Sequence, residues 1–398
     1  MKHYVIIGNG TAGASAVSQI RKRDKDGSIV IFTREEYPYY YRPKLPDYIN
    51  GTVNLNGFTM HTLSQYKDWN VDLRLGETVI NIDPVKKEVS SEKPGKTPYD
   101  ELLLAAGSSS FLPPVAGNDK AGVFTLRTLN DADALIAASR KAKTAILVGG
   151  GLLGLEAGHA LINLGLKVEV VEYMGRLLPR QLDEESAKLL KGQLEEMGFS
   201  FHLSAKAQEI IGKDSVEGLV LADGACIDGG MILFSAGVRP NLDLAKEAGI
   251  ATDKAVKVDE YMRTNVPGIW AAGDVTEYNG QPCGLWPIAM AQGNAAGASM
   301  AGELRSYIPQ APGTTLKVAG IDLISAGDID GENTKTSKRF ISNKTYRKIV
   351  LEGDIIKGII FLGSTVGSTK CITAMNEGRH LGPLTDELDR EDFDFSKL

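Results

Sequence analysis

The sequence predicts an α/β fold that is built on two similar β-α-β units and completed by a smaller, β-rich C-terminal region. Three observations support this fold class. The spacing G-x-G-x-x-G occurs at residues 8–13 and 149–154, each time between an apolar strand-like run and a helical run. Each helical run leads to a second strand-like run, at 29–32 and in a stretch ending at 172. Residues 315–363 instead show short strand-like runs separated by turns.

The first unit opens the chain, with strand-like residues 4–7 followed by Gly8, Gly10 and Gly13. In this spacing the first glycine allows a tight strand-to-helix turn, and the second lets the backbone approach a pyrophosphate. The third lets the helix pack close to its strand. Free N–H groups and the helix dipole favour phosphate at the helix N-terminus. We therefore predict a dinucleotide site, in which Glu35, shortly after the second strand, accepts hydrogen bonds from the ribose.

The second unit repeats the pattern with Gly149, Gly151 and Gly154. About twenty residues on, Glu172 ends the next strand and is placed to accept from a ribose 2′-OH. A glycine-rich structural turn is the alternative interpretation. The complete set of strand, helix, strand and terminal acid favours a binding site, so the two units together predict two dinucleotides.

The charge at the end of the second unit bears on which nucleotide binds there. A carboxylate at Glu172 would repel a 2′-phosphate, which favours NADH over NADPH. Arg176 and Arg180 follow closely and act in the opposite direction. NADPH therefore stays open as the less favoured cofactor.

Length and composition exclude several other classes of protein. The 398 residues are long for one core, so two or three domains are expected. The net charge of -6 argues against a general nucleic-acid binder. No apolar run reaches the roughly 20 residues of a transmembrane helix, and the N-terminus enters a strand where a signal peptide would have its apolar core. We expect a cytoplasmic protein that binds neither nucleic acid nor membrane.

The cysteines and histidines are too scattered to predict a metal site. The three cysteines, Cys226, Cys283 and Cys371, form no C-x-x-C or C-x₄-C pair. The five histidines do not cluster. We therefore predict neither a local redox dithiol nor a bound metal.

A tyrosine-rich segment follows the first unit, at residues 37–49 (YPYYYRPKLPDYI). Its prolines exclude a regular helix before Leu45. Three adjacent tyrosines beside Arg42 and Lys44 are unusual in a surface loop. Two interpretations are open: a packed aromatic turn, or a loop that faces a cofactor.

The domain boundaries are predicted from two similar strand ends. A strand runs into Ala106-Gly107 and is followed by small residues and prolines, and another ends at 235–237. A further strand ends in a glycine and an acid at 268–274, and residues 287–302 are helical and rich in small residues. We expect the acidic tail, 383–398, to be loosely held. The predicted domains are 1–108 together with 237–314, then 109–236, then 315–398.

The motifs identify a resemblance that covers residues 1–375. The chain resembles the FAD-dependent pyridine nucleotide–disulfide oxidoreductases, and within them the NADH:rubredoxin oxidoreductases, the flavin part of NADH-dependent nitrite reductases and the ferredoxin reductases of oxygenase systems. The resemblance implies two Rossmann-like domains of the three-layer ββα type, binding FAD and NADH, and a small C-terminal α+β domain. It rests on residues 8–13, 42–45, 103–107, 149–156, 236–241 and 271–274, in the family's order.

The resemblance also implies roles for individual residues. Lys44 and Glu156 are the predicted catalytic residues, with Lys44 near the isoalloxazine and Glu156 near the nicotinamide amide. Val79 would lie by the adenine, and Trp286 would pack at the flavin ring. The predicted cofactor-binding residues are Gly8, Gly10, Thr11, Ala12, Gly13, Glu35, Arg42, Lys44, Val79, Ala106, Gly107, Arg127, Gly149, Gly151, Leu153, Gly154, Glu156, Glu172, Gly237, Gly273, Asp274 and Trp286.

One departure from the family pattern bears on the electron acceptor. Disulfide reductases of the family carry a redox cysteine pair in the region that here reads YRPKL at 41–45, and no cysteine precedes Cys226. Electrons must then leave the flavin directly, after a hydride transfer that needs the donor carbon roughly 3–3.5 Å from the flavin. We predict a small iron-containing carrier, rubredoxin or ferredoxin, as the acceptor. An electron-entry subunit of a larger complex and an NADH oxidase stay open, as does the oligomeric state.

Overall fold

The computed structural model describes residues 1–309 and 314–398, without the side chains of 314–317. By its internal contacts the chain divides into two compact units. Unit 1 contains the first glycine turn, and unit 2 contains the second one together with the C-terminal region. Unit 1 comprises Met1–Lys44, Val53–Ser109 and Val238–Gln310, and unit 2 comprises Leu45–Thr52, Ser110–Gly237 and Ala311–Leu398.

The first part of the chain forms a β-α-β unit, short helices and a group of strands. A 3₁₀ turn, Arg42–Lys44, precedes the first short helix, so the predicted absence of a regular helix before Leu45 is confirmed. In chain order the elements are β1 (His3–Ile7), α1 (Thr11–Arg23), β2 (Ser28–Phe32), α2 (Leu45–Ile49), α3 (Leu55–Phe58), α4 (Leu63–Asp68), β3 (Val71–Arg74), β4 (Val79–Asp83), β5 (Glu88–Ser91), β6 (Lys96–Pro98), β7 (Glu101–Leu104) and β8 (Ser108–Ser110).

The middle of the chain repeats this arrangement and then returns to unit 1. The repeat consists of β9 (Val123–Thr125), α5 (Leu129–Ser139), β10 (Thr144–Val148), α6 (Leu152–Asn163), β11 (Lys167–Glu172), α7 (Glu184–Glu196), β12 (Phe199–Leu203), β13 (Ala207–Ile211), β14 (Gly218–Leu221), β15 (Cys226–Asp228) and β16 (Met231–Phe234). The return segment consists of β17 (Val238–Pro240), α8 (Asp243–Glu247), β18 (Val256–Val258), β19 (Ile269–Ala271), β20 (Thr276–Tyr278), β21 (Gln281–Pro282) and α9 (Trp286–Met300).

Unit 1 is built on a parallel sheet with the strand order β19-β7-β1-β2-β3. Alternate residues of β1 face opposite layers because side chains alternate along a strand. Tyr4 and Ile6 pack with residues of α1 and α9, whereas Val5 and Ile7 pack with residues of the antiparallel sheet β4-β5-β6. The strands are apolar on both faces because both faces are covered. The three-layer ββα arrangement is confirmed.

Unit 2 contains a second parallel sheet of the same kind, in the order β12-β11-β10-β16-β9. Its antiparallel layer is β13-β14-β15, which packs on Ile146 of β10 and Ile232 of β16. On the helical side, Gly158 of α6 lies so close to Phe199 that a Cβ would approach the ring to 2.8 Å. The two predicted β-α-β units therefore fold alike.

Close packing of α9 against α1 closes the helical layer of unit 1. A Cβ on Gly293 would lie 2.3 Å from the carbonyl oxygen of Ala12, and one on Gly297 would lie 2.4 Å from that of Ala16. Only glycine permits this approach of two backbones. The prediction that residues 287–302 are helical is confirmed, and the small residues of this helix permit its close packing.

The C-terminal region is an antiparallel sheet with the order β22-β23-β26-β25-β24 and a helix against it. Strands β25 and β26 form a hairpin that turns through Gly353. Short 3₁₀ turns follow at Gly382–Glu387 and Phe395–Lys397. The elements are β22 (Thr314–Val318), β23 (Ile321–Gly327), β24 (Ser337–Ile341), β25 (Tyr346–Glu352), β26 (Ile355–Leu362) and α10 (Ser368–Asn376).

The expectation of a loosely held tail is wrong. Phe393, Phe395 and Leu398 are buried in the hydrophobic cluster of this region. Arg347 donates a hydrogen bond of 3.0 Å to the carbonyl of Leu388. Acidic residues dominate the composition of the tail, but its few apolar side chains anchor it.

Within the described parts of the chain, no helix has the length and apolar character needed to cross a membrane.

Candidate functional site

The first glycine turn joins β1 to α1 and has a different requirement at each glycine. Gly8 has φ +111°, and a Cβ there would lie 2.1 Å from the carbonyl oxygen of Ala105. A Cβ on Gly13 would lie 2.1 Å from the carbonyl oxygen of Gly8. A Cβ on Gly10 would meet nothing within 4 Å. Gly8 and Gly13 are therefore needed by the fold, whereas Gly10 borders open space in front of the helix.

The groups around that open space are hydrogen-bond donors. Helix α1 has Gly10 as its N-cap and no side-chain cap, so the first-turn N–H groups, including those of Thr11 and Ala12, have no side-chain acceptor from the cap. Asn9 is buried, and its Nδ2 has no hydrogen-bond partner among the described residues. Its Oδ1 accepts from the Tyr66 hydroxyl at 2.8 Å, which fixes the amide. An uncapped helix N-terminus beside an unsatisfied buried amide fits the pyrophosphate of a dinucleotide.

The second glycine turn, between β10 and α6, has the same geometry. Gly149 also has φ +111°, with a Cβ position 2.5 Å from the carbonyl oxygen of Ser235. A Cβ on Gly154 would lie 2.6 Å from the carbonyl oxygen of Gly149, and one on Gly151 would meet nothing within 4 Å. Helix α6 likewise has no side-chain cap, and Leu153 in its first turn is 39% exposed. The uncapped helix N-terminus and the open space at Gly151 fit a second dinucleotide.

The two predicted ribose acids have different partners. Both oxygens of Glu35 accept within the tyrosine-rich segment, one from the Tyr40 hydroxyl and one from the Arg42 guanidinium. Burial alone would lower the pKa of Arg42. The charge of Glu35, with smaller contributions from Tyr40 and Asp274, outweighs it, so the pKa is raised. Glu172 instead accepts from two backbone N–H groups.

Glu172 is fixed by the loops on either side of it. Its Oε2 accepts from the N–H of Gly150 at 2.7 Å, and its Oε1 accepts from the N–H of Met174 at 2.8 Å. The carboxylate therefore lies against the second glycine turn, on which the sequence prediction depends. Each oxygen has a second lone pair that is available for a ribose hydroxyl.

The loop after β19 brings a carboxylate to the carboxyl end of the first sheet. Gly273, with φ +85°, donates its N–H to Oε1 of Gln292 at 2.9 Å. The next residue, Asp274, accepts from the Ser108 hydroxyl at 2.9 Å. The Sγ of Cys283 lies 3.9 Å from Asp274, and burial together with this charge raises the pKa of the thiol to about 12. A thiol held protonated in this way is a poor redox nucleophile.

The tyrosine-rich segment is tied to the first glycine turn and to the start of α9. The Tyr39 hydroxyl donates to Thr11 Oγ1 at 3.1 Å and accepts from Trp286 Nε1 at 3.2 Å. The rings of Tyr41 and Trp286 meet edge-on with centroids 5.4 Å apart. The segment is packed, as the first interpretation expects, and it borders the glycine turn. That it faces a cofactor stays a prediction. The small cavity in front of this turn is lined by Asn9, Gly10, Thr33, Glu35, Tyr37, Pro38, Tyr39, Tyr40 and Arg42.

Two further groups of predicted residues lie at strand ends. The carbonyl of Ala106 accepts from the side chain of Asn241 at 2.8 Å. Gly107 and Gly237 both have positive φ, +65° and +88°, at equivalent positions after β7 and β16. The Val79 side chain is buried in the core, so a nucleotide would meet only its backbone.

The remaining three predicted polar residues lie in different parts of the chain. Lys44 is exposed at the end of the 3₁₀ turn, and the half-buried Arg127 of unit 2 donates its N–H to Asp131 Oδ2 at 2.8 Å. Glu156, on α6, accepts from the N–H of Ala319 at 3.0 Å. The C-terminal region therefore reaches the second glycine unit at the residue predicted to lie near the nicotinamide.

Sequence reasoning missed Asn9 and Gln292. The only sequence signal for Asn9 was its position between Gly8 and Gly10. Its amide becomes informative only when the structure shows that it is buried. Gln292 lies in a run of small residues on α9. Its polar side chain within that run was the signal that could have identified it. No group of three or more histidine, cysteine or acidic side chains within residues 1–309 and 314–398 is arranged to hold a metal ion.

Comparisons with known proteins find family matches for both the main part and the C-terminal part of the chain. The model of the pyridine nucleotide-disulphide oxidoreductase family matches residues 2–293, and that of the rubredoxin NAD+ reductase C-terminal domain matches 312–379. A nitrite reductase [NAD(P)H] of Bacillus subtilis is 37% identical over 92% of this chain and 46% of its own length. An NADH-rubredoxin oxidoreductase of Clostridium acetobutylicum is 31% identical over 94% of each chain.

A solved structure extends the agreement to the fold. The crystal structure of NADH:rubredoxin oxidoreductase from Clostridium acetobutylicum superposes with a TM-score of 0.81, at 27% identity and over 96% of each chain. Some relatives are much longer than this chain. The chain spans about half the length of the first curated relatives that it matches.

Proposed function

Since the chain belongs to the pyridine nucleotide-disulphide oxidoreductase family, we propose that it is an FAD-dependent enzyme that oxidises NADH and reduces a small iron-containing protein, most directly a rubredoxin. The observation that carries the proposal is the pair of glycine turns, each leading to an uncapped helix N-terminus that borders open space. Two such turns are needed to hold two dinucleotides. Bound FAD would accept a hydride and release electrons one at a time.

The residues of the first turn would hold the FAD. The N–H groups at the start of α1 and the Asn9 amide would bind its pyrophosphate. Glu35, held by Tyr40 and Arg42, would accept from the ribose. Arg42 and Lys44 would stabilise negative charge that develops on the reduced cofactor, because fixed cations beside developing charge act in this way.

The residues of the second turn would hold NADH. The start of α6 would bind its pyrophosphate, and the fixed carboxylate of Glu172 would accept from the ribose and disfavour a 2′-phosphate. Glu156 would orient the nicotinamide through its amide. Its hydrogen bond from Ala319 supports this positioning role, because it restricts the side chain before the nucleotide binds.

The choice of a one-electron acceptor is supported by the state of the cysteines. Cys226, Cys283 and Cys371 are all unpaired, and none lies in the segment where disulfide reductases of the family carry their pair. The match to the rubredoxin NAD+ reductase C-terminal domain supports rubredoxin among such acceptors. Three unpaired cysteines also support a reducing compartment, and we place the protein in the cytoplasm.

A second candidate function is an electron-entry component of a larger reductase. The observation that favours it is the 37% identity to a nitrite reductase about twice as long. In that case the acceptor would lie on another polypeptide or on a further part of the same one. An NADH oxidase that reduces O₂ is the third candidate.

Anaerobic NADH oxidation with a panel of acceptors separates these candidates. We expect rapid turnover with rubredoxin, slower turnover with ferredoxin and none with coenzyme A disulfide. The visible absorbance of the protein carriers monitors their reduction. Turnover only with a nitrite reductase partner would replace the first candidate by the second. NADH consumption in air that rubredoxin does not increase would favour the oxidase.

A further inference from the structure

The loop after β11 folds back towards the predicted ribose acid. Met174 donates its N–H to Glu172, and its carbonyl accepts from Ser204 at 3.0 Å, so the loop is fixed on both sides. Arg176 follows two residues later, and two residues separate Cα atoms by at most about 7 Å. The long side chain of Arg176 therefore starts close to the carboxylate that would face the ribose 2′ position.

The guanidinium of Arg176 is nevertheless engaged elsewhere. Its Nη2 pairs with Oε1 of Glu332 at 3.2 Å, in the C-terminal region. The same nitrogen lies against the backbone of Gly331, where a Cβ would approach it to 3.1 Å. Its Nε is buried without a hydrogen-bond partner among the described residues. An arginine left partly unsatisfied in this way would gain from a phosphate, which accepts several of its donors at once.

The loop that carries Glu332 is held in place by hydrogen bonds to its backbone and side chains. Asp330 accepts from the N–H groups of Thr334 at 2.8 Å and Lys335 at 3.0 Å. The buried ammonium of Lys348 donates to the carbonyl of Asp330 at 2.7 Å and to Asn333 Oδ1 at 2.8 Å. These bonds fix the backbone on both sides of Glu332. Pairing with Arg176 therefore requires little ordering beyond that of two side chains.

We propose that Glu332 withholds Arg176 from the 2′ position of the bound nucleotide, so that the C-terminal region helps to select NADH over NADPH. The inference rests on the proposed function and deepens it. With Arg176 paired, its charge does not offset that of Glu172, and the carboxylate repels a 2′-phosphate more strongly. Once released, Arg176 offsets that repulsion and binds the phosphate.

The test is the substitution Glu332→Gln, with NAD+ and NADP+ titrated calorimetrically into the flavin-loaded, oxidised protein. Because an exposed ion pair contributes little, we expect NADP+ to bind about three- to five-fold more tightly in the variant, with NAD+ changed by less than about two-fold. Adding Arg176→Gln to the variant should remove the gain. Glu352→Gln is the matched control, because Glu352 is 78% exposed, as Glu332 is, and pairs with Lys357 in the same region.

The outcomes separate the inference from the proposed function. Equal tightening of both nucleotides, an unchanged NADP+ affinity, or a gain that survives in the double variant would overturn the inference alone, provided that the wild-type protein binds NAD+. A wild-type protein that binds neither nucleotide would overturn the proposed function, and the inference with it.

Discussion

Gly10 and Gly151 are glycines for which neighbouring protein atoms give no steric reason. Their φ values, -86° and -78°, are open to any residue, and a Cβ on either would meet nothing within 4 Å. Gly8 and Gly149 differ, because each has φ +111° and lies against a carbonyl oxygen. We therefore propose that a bound pyrophosphate accounts for glycine at positions 10 and 151, whereas the fold accounts for glycine at positions 8 and 149.

The substitutions Gly10→Ala and Gly151→Ala should each weaken or abolish the binding of one cofactor and leave the fold intact. We expect Gly10→Ala to purify without flavin absorbance. Gly151→Ala should retain the flavin and bind NAD+ at least ten-fold more weakly, a loss on the order of 1.4 kcal/mol. Flavin absorbance of the purified proteins and calorimetric titration with NAD+ are the measurements. The reverse pattern would exchange the cofactors assigned to the two turns.

Two controls distinguish loss of a cofactor from loss of the fold. Gly149→Ala should destabilise the protein by several kcal/mol, because its Cβ overlaps a carbonyl oxygen at positive φ. Gly192→Ala, in α7 with open space around it, should leave both cofactors in place and stabilise its helix by up to about 1 kcal/mol.

At the scale of elements, β25 is joined to the start of α7 by a buried network of charges. Lys348 is fully buried and lies 3.4 Å from Asp183 and 3.6 Å from Asp330. Asp183 also caps α7 and accepts from the Tyr346 hydroxyl at 2.6 Å. Burial alone would raise the pKa of Asp183, but hydrogen bonds from Ser186 and Tyr346 and the charge of Lys348 hold it below its ordinary value.

The substitution Lys348→Met should destabilise unit 2 by about 3–5 kcal/mol at pH 7, because it leaves two buried carboxylates without their cation. Carboxylates with a lowered folded pKa stabilise the protein above their unfolded pKa of about 3.9, and this contribution is lost as pH falls through the folded pKa. The difference between wild type and variant should therefore narrow below about pH 4. Urea unfolding of both proteins at pH 7 and below pH 4 measures this difference in the free energy of unfolding.

An exposed pair provides the control for this prediction. Lys357→Met removes a cation that is 43% exposed and pairs with Glu352, and it should cost no more than about 1 kcal/mol. If Lys348→Met cost as little, or if its effect did not change with pH, the buried charges would not be responsible for the stability of this junction.

The sequence predicted those elements whose physical cause is local. The glycine spacing, the apolar strands and the small residues of α9 each determine their own structure, so the ββα layers could be inferred before any coordinates. The partners of Lys348 and Arg176 could not, because each pair joins residues far apart in the chain. The tail was mispredicted because composition does not show that Phe393 and Phe395 are buried.

The candidate site divides in the same way. Glu172 was predicted as a ribose acid from its place at the end of a strand, and its bonds to Gly150 and Met174 place its carboxylate beside the second glycine turn. Its role stays a prediction. Asn9 was missed because an unsatisfied amide is recognised only from burial. The predicted site residues without a motif of their own, such as Val79 and Arg127, came from the resemblance and stay predictions.

For the molecule as a whole, the proposed route of electrons requires that no cysteine take part. Cys226 is exposed on β15, whereas Cys283 and Cys371 are buried. Burial raises the pKa of both buried thiols to about 12. Because the thiolate is the reactive form, neither is prepared for exchange with a disulfide.

A variant that carries Cys226→Ser, Cys283→Ala and Cys371→Ala should therefore retain NADH-dependent rubredoxin reduction within about two-fold, apart from a loss of stability at the two buried positions. In the wild-type protein, N-ethylmaleimide should modify one thiol, to the same extent before and after anaerobic addition of NADH. Enzymes that pass electrons through a disulfide behave otherwise, because reduction releases new thiols whose alkylation stops turnover. Additional labelling after NADH, accompanied by loss of turnover, would show that electrons leave through sulfur and would contradict direct transfer to a one-electron carrier.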